Sequence, residues 1–382
     1  MASVGDAENP LTWSGIPYHL SQAGREVGFI TGGLPLDPSG RSWKAQRLAW
    51  NLAQVLRGDR KGGFQYSVGF LERLWAPVQE RLTGAAVINC AQLYPPSVVV
   101  NDAVEKWFFL DLTLELVLDY YRTRESVGRR IAEDALARER AGYARARGLI
   151  VMSHFAAANV RERYGVGAER VHVVVPGANL SPAAYARWEA ERDGAETVGA
   201  DGKLRLLMIT TDWQRKGLDR LLRAIAIGRR QGLQVSLKVI GARREDLPAE
   251  LTALDDVTWL GRISKNTHAD RFLREVAGAD MGCIFSRYEA GGSVLREYHA
   301  LGLAAFATNA GGMPDFFFDD ATVAVAPDAS DEELATALVA LGKDHARVAR
   351  LKAAAERRRR EALWPATVEH LRAVIDAGPD TR

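Results

Sequence analysis

The chain has 382 residues, 47% of them hydrophobic and 26% charged, a balance that excludes extended disorder and fits a soluble globular protein. Single cores stop growing near ~250–300 residues, so two domains are expected. A formal charge of +2 gives no global field that would draw nucleic acid.

Local charge is less even. Arg357, Arg358, Arg359 and Arg360 form one run, and Arg129, Arg130, Arg138, Arg140, Arg145 and Arg147 form a looser helical series. Both read as solvated helix faces, with anionic-membrane contact as the alternative. Cys90 and Cys283 fall in apolar runs that read as buried strands. That placement points to a reducing compartment and away from a disulfide scaffold or zinc site. Residues 1–6 lack the basic and apolar regions of a signal peptide. No apolar run approaches the ~18 residues needed to span a bilayer. A cytoplasmic location is expected, with any membrane contact peripheral at the inner face.

In chain order, a very short strand is expected at 3–5, then helices at 15–23, 43–56 and 69–82. Buried strands follow at 86–90, 108–111, 149–153 and 171–175. Residues 181–202 are rich in Ala, Glu, Asp and Gly without an apolar strand, which marks a boundary. Beyond it comes a strand at Leu204–Thr210, then a helix whose Leu218, Leu221, Leu222 and Ile225 share one face. Strands at 235–240, 257–260, 281–286, Ala304–Thr308 and 322–326 alternate with helices near 245–254, 268–276 and from Ser293. A final helix is expected at 363–375. Continuous apolar strands alternating with helices indicate parallel sheets covered on both faces, hence doubly wound α/β domains. The expected division is 1–180, a linker at 181–203, 204–362, and a helix within 363–382 crossing back to the first domain.

Ligands of open α/β sheets bind beyond the carboxyl ends of the strands. The richest such segment runs Ser286-Arg287-Tyr288-Glu289-Ala290-Gly291-Gly292-Ser293-Val294-Leu295-Arg296-Glu297. Gly291 and Gly292 would let a ligand approach the backbone closely. The amides of Ser293, Val294 and Leu295 at a helix start would form an anion site suited to a diphosphate. Glu289 and Glu297 flank it, and carboxylates are strong acceptors for hydroxyls. This arrangement suits a nucleotide sugar, with sugars on both sides of a phosphate.

The spacing Glu289-x7-Glu297, followed by Gly302-Leu303, Ala307-Thr308 and Gly311-Gly312-Met313-Pro314, resembles the donor signature of family 4 retaining glycosyltransferases. Trp213-Gln214-Arg215-Lys216-Gly217-Leu218-Asp219 resembles that family's phosphate-clamp segment. Val239-Ile240-Gly241 and Leu260-Gly261-Arg262 resemble its glycine-ended strands. Residues 163–166 with 174–179, and Trp13-Ser14-Gly15-Ile16-Pro17, resemble segments of its first domain. The matches run in family order over nearly the whole chain.

The resemblance implies a GT-B architecture, two Rossmann-like domains with a cleft between them. It further implies retention at the anomeric carbon without a metal or other cofactor, the nucleotide diphosphate sugar being a co-substrate. Glu297 would accept from ribose hydroxyls. Glu289 would face the transferred sugar, and Lys216 and Arg215 would neutralise the departing diphosphate. Arg262 and Lys265 would lie near the base, and Gly15 would admit donor or acceptor. Where many relatives have a cleft histidine this chain has Asp111, read as an acceptor contact or equally as a helix cap. Ser153 poses the same choice and is more often a cap. The expected partners are a UDP- or GDP-sugar and a glycan, glycolipid or small-molecule acceptor, as in polysaccharide biosynthesis. A nucleotide-sugar epimerase and a non-catalytic sugar-nucleotide binder are the alternatives.

Overall fold

The computed structural model describes residues 1–82, 86–90, 104–192, 198–199 and 201–378. It divides the chain into two compact units, Met1–Val175 with Thr367–Arg382, and Pro176–Ala366. Each unit is built on a six-stranded parallel sheet, as the apolar strand runs predict.

In the first unit β1 (Ala2–Val4) leads to α1 (Ile16–Glu26), β2 (Leu34–Leu36), α2 (Arg41–Leu56) and α3 (Val68–Trp75). Then come β3 (Ala86–Asn89), β4 (Glu105–Leu110), α4 (Leu114–Asp119), α5 (Arg129–Arg145), β5 (Gly148–Val151), α6 (His154–Tyr164) and β6 (Val171–Val173). The strand order is β2-β1-β3-β4-β5-β6, so the winding reverses between β1 and β3. The short first strand is real, at 2–4 rather than 3–5. β2 has no counterpart among the expected strands, because Pro35 reads as a breaker. On an edge strand its missing N–H costs no ladder bond, and Pro35 is exposed there. The helix expected over 69–82 is broken. It tightens into a 3-10 turn at Ala76–Arg81, since Pro77 cannot donate to the preceding turn.

The second unit contains α7 (Pro182–Glu191), β7 (Leu204–Thr210), α8 (Leu218–Arg230), β8 (Val235–Gly241), α9 (Ala249–Thr252), β9 (Val257–Gly261) and α10 (Ala269–Ala277). β10 (Met281–Ile284), α11 (Ser293–Ala300), β11 (Ala304–Thr308), β12 (Thr322–Val325), α12 (Asp331–Lys343) and α13 (His345–Arg358) complete it. The order is β12-β11-β10-β7-β8-β9, with the switch between β7 and β10. Leu218, Leu221, Leu222 and Ile225 are all buried in this unit's core. The chain passes from one unit to the other at Val175, ahead of the segment 181–203 expected as linker. That segment opens with α7, where Ser181 caps the helix by accepting from the Ala184 amide at 3.4 Å. Its residues 193–197 and 200 lie outside the described ones, as do 379–382 of the expected terminal segment 363–382. The last helix, α14 (Trp364–Ala377), returns the chain to the first unit from Thr367 on.

Part of the arginine series is engaged within the fold, while Arg130, Arg145 and Arg357 are exposed with no side-chain hydrogen bond or ion pair among the described residues. Arg129 pairs with Glu133 and Arg147 with Glu105, while Arg138 and Arg140 donate to the carbonyls of Tyr66 and Arg163. Arg358 pairs with Glu361 and Asp320, and Arg359 with Glu189 and Glu356.

One buried carboxylate organises the first unit. Glu139 of α5 accepts from the Leu114 amide at 2.9 and 3.0 Å, from the Tyr143 hydroxyl at 2.7 Å and from the Tyr164 hydroxyl. Burial raises its pKa from 4.5 to about 7, against the lowering effect of these donors. A folded value above the unfolded one means that the native state holds the proton longer. The contribution of Glu139 to stability therefore falls as pH rises from about 4.5 to about 7 and is flat above. We expect the stability difference between the wild type and Glu139→Gln, from urea unfolding, to be more favourable to the wild type at pH 5 than at pH 8. An equal difference at the two pH values would show that this carboxylate does not titrate in the window.

Candidate functional site

The site begins with the turn between β7 and α8. Gly217 has φ +75°, and a Cβ there would stand 2.2 Å from the Phe285 carbonyl oxygen. The missing side chain lets this turn lie directly on the segment leaving β10. The Phe285 amide donates to Lys216 O at 3.1 Å and the Arg287 amide to Arg215 O at 2.9 Å. Arg287 also pairs with Asp219 at 2.7 Å. Two chain segments at the switch point of the second sheet, where doubly wound sheets bind ligands, are thus fixed against one another.

Three charged groups converge there. Glu289 is only 6% exposed. Its Oε2 accepts from Arg215 Nη1 at 2.8 Å, from Lys216 Nζ and from Ser286 Oγ at 3.2 Å. Burial opposes ionisation of Glu289, but Lys216 and then Arg215 outweigh it and hold the carboxyl below its ordinary value. Arg215 is steadied from behind by Asp212, through Nε to Oδ2 at 3.0 Å. Asp212, Asp219 and Ser286 carried no role in the sequence reading. Two of them gave a signal, Ser286 as the last residue of the expected strand 281–286 and Asp219 as the last residue of the segment resembling the phosphate clamp.

The start of α11 differs in part from expectation. The Leu295 amide is satisfied from within, donating to Gly292 O at 2.7 Å, because the first turn closes tightly on the residue preceding the helix. Ser293 and Val294 have amides without a hydrogen-bond partner among the described residues, so two donors remain rather than three. Gly291 and Gly292 serve packing here. A Cβ on Gly291 would meet the Phe316 ring at 2.5 Å, and one on Gly292 would meet Leu295 Cδ1 at 2.6 Å.

In the second turn of α11, Glu297 is 1% exposed. Its Oε1 accepts from Lys265 Nζ. Its Oε2 is buried with no hydrogen-bond partner among the described residues. An orphaned buried acceptor costs about 1–3 kcal/mol, which a ligand hydroxyl would relieve. Lys265, which also lies 5.3 Å from the Phe272 ring centroid, is thereby brought to Glu297. Arg262 is exposed and makes no hydrogen bond or ion pair among the described residues.

Gly15 and Asp111 belong to the first unit. Gly15 is buried with φ +89° and precedes α1, whose Pro17 sits in the first turn. Trp13 and Ser14 before it also have positive φ, 41° and 58°, although only the glycine suggested such a backbone. Asp111 accepts from the Leu112 amide at 2.8 Å. Thr113, not Asp111, caps α4 by accepting from the Leu116 amide at 3.3 Å. Ser153 caps α6 through the Ala156 amide at 3.2 Å. Asp111 lines a cavity of about 580 Å³ together with Ser3, Trp13, Phe70, Cys90 and Tyr121. The cavity lies at the carboxyl ends of β1, β3 and β4, where the first sheet reverses.

Gly217→Ala adds a backbone clash to the strain of a left-handed residue, which alone is worth about 1–3 kcal/mol. Gly232→Ala, at φ +87° with open space around it, carries the strain without the clash. We expect Gly217→Ala to lose clearly more stability in urea unfolding; equal losses would mean that the approach to Phe285 is not a constraint.

No curated protein matches this chain. Solved structures match over most of it: Anabaena Alr3699/HepE in complex with UDP at 17% identity and TM-score 0.63, covering 98% of this chain and 99% of that one. Sucrose-phosphate synthase from Thermosynechococcus elongatus matches at 18% identity and TM-score 0.61, with 82% and 79% covered. A glycosyltransferase from Rickettsia africae ESF-5 matches at 13% identity and TM-score 0.58, with 94% and 92% covered. At such identities the likeness establishes the fold. Residues 191–358 match the family model described as glycosyl transferases group 1. The switch-point cluster and both glutamates thus lie in the stretch that matches the glycosyl transferases group 1 model, within a chain whose two parallel sheets have the GT-B fold.

Proposed function

We propose that this chain transfers a sugar from a nucleotide diphosphate sugar of the UDP or GDP type to a hydroxyl of a glycan, glycolipid or small molecule, with retention and without a metal. The observation that carries the proposal is the meeting of Lys216 and Arg215 on the buried carboxylate of Glu289, at the switch point of a group 1 domain. The neighbouring Ser293 and Val294 amides add donors for a diphosphate at a helix N-terminus.

Each group then has a task. In the transfer, the bond from the anomeric carbon to the diphosphate oxygen breaks while the acceptor oxygen bonds to that carbon on the same face. The acceptor proton passes to the departing diphosphate. Negative charge grows on the diphosphate, and Lys216, Arg215 and the two amides are the groups that stabilise it. Glu289 keeps both cations in place and offers acceptor oxygen to the transferred sugar, favouring positive charge developing on its ring. Glu297 uses its unpartnered Oε2 to accept from a ribose hydroxyl, with Lys265 fixing the other oxygen. Arg262 stands near the base, and the cavity containing Asp111, close to Gly15, serves the acceptor.

Structures of HepE hold UDP and UDP-glucose, so UDP-glucose is the first donor to try. Release of free nucleotide diphosphate from a panel of UDP- and GDP-sugars is the expected result. Recovery of an epimerised donor, or tight binding without turnover across donors and acceptors, would favour an epimerase or a binder instead. Glu297→Ala is expected to weaken nucleotide binding by at least ~1–3 kcal/mol in calorimetry. Unchanged affinity in the folded variant would remove the ribose role.

A further inference from the structure

Half of the eight large hydrophobic side chains most exposed among the described residues sit on one helix. Leu48, Leu52, Val55 and Leu56 of α2 are 72, 60, 46 and 79% exposed. Their spacing of i, i+4, i+7 and i+8 gathers them on one face. The opposite face does the packing: Trp43 meets Phe70 at 5.0 Å and Phe64 at 6.5 Å, Trp50 meets Phe64 at 6.1 Å, and Gln54 is buried. The apolar stripe is therefore in excess of what the fold of the first unit uses.

The charge around it has a single sign. From 41 to 61 the basic residues are Arg41, Lys44, Arg47, Arg57, Arg60 and Lys61, and the only acid is Asp59. All six are exposed. Arg41, Lys44, Arg47, Arg57 and Lys61 form no ion pair among the described residues. Lys44 and Arg41 fall beside Leu48 on the helical wheel, so cations border the stripe.

We propose that α2 is a docking helix for an anionic lipid bilayer, lying in the interface with Leu48, Leu52, Val55 and Leu56 among the acyl chains and the basic residues at the headgroups. An apolar stripe bordered by Lys and Arg binds anionic surfaces through both terms together. A second copy of this chain is a poor occupant, since it would set one unpaired cationic border against another. The surface stands apart from the transfer reading: docking needs neither donor nor acceptor.

The test is sedimentation of the full chain with phosphatidylcholine vesicles with and without phosphatidylglycerol, at low and high salt. Binding is expected only with phosphatidylglycerol and weaker at high salt. The double variants Leu52→Glu/Leu56→Glu and Arg41→Glu/Lys44→Glu should each lower the bound fraction at least about ten-fold. Their circular dichroism should not change, because every altered side chain is exposed. The charge variant leaves the apolar stripe intact, so it remains informative should the first fold poorly. Absence of wild-type binding to anionic vesicles overturns the proposal, as does binding that neither variant alters. Self-association abolished by Leu52→Glu/Leu56→Glu, without vesicle binding, assigns the face to a second copy and overturns it too.

Discussion

The second unit depends on how closely two backbones approach at its switch point. Gly217 has no side chain, and the turn it belongs to is hydrogen-bonded to the segment leaving β10 through the amides of Phe285 and Arg287. Those two bonds bring Lys216 and Arg215 to Glu289. Without the approach, three long side chains would have to find one another across flexible loops and lose rotamer freedom in doing so. With it, the groups are held together before any ligand arrives, which is the condition for electrostatic stabilisation without reorganisation.

Both buried glutamates of the second unit are held by cations from other segments. Glu289 takes its partners from the β7–α8 turn and Glu297 takes Lys265 from the segment after β9. A buried carboxylate that lost its partner would be a strongly destabilising charge, so each ion pair ties separate loops into one unit. The arrangements differ at the second oxygen level. Glu289 accepts from Arg215, Lys216 and Ser286 on Oε2, whereas Oε2 of Glu297 is buried with no hydrogen-bond partner among the described residues. That asymmetry suits a group that steadies cations in one case and one that waits for a hydroxyl in the other.

Much of this was legible in the residues. Continuous apolar runs specified the parallel strands, and the i, i+3, i+4, i+7 pattern of α8 gave its buried face. Glu289, Lys216 and Glu297 stood out by position after strand ends. What escaped has identifiable causes. β2 is hidden by Pro35, tolerated only because the strand is an edge, and edges are decided by sheet assembly. The Leu295 amide looked free until the tight first turn of α11 showed its partner. Trp13 and Ser14 adopt left-handed backbone that their side chains disfavour, so only their surroundings impose it.

Local pattern settled which residues form strands and helices, because side-chain period is a property of the chain itself. It also settled which ionisable residues lie at strand ends. Which charge meets which was decided by tertiary structure alone. Sequence showed runs of arginine at 129–147 and 357–360; folding gives ion pairs to Arg129, Arg147, Arg358 and Arg359, whereas Arg41, Lys44 and Arg47 of α2 have none among the described residues and stand on a helix with an exposed apolar stripe. Pairing energies depend on distance and burial, and neither exists until the chain has folded.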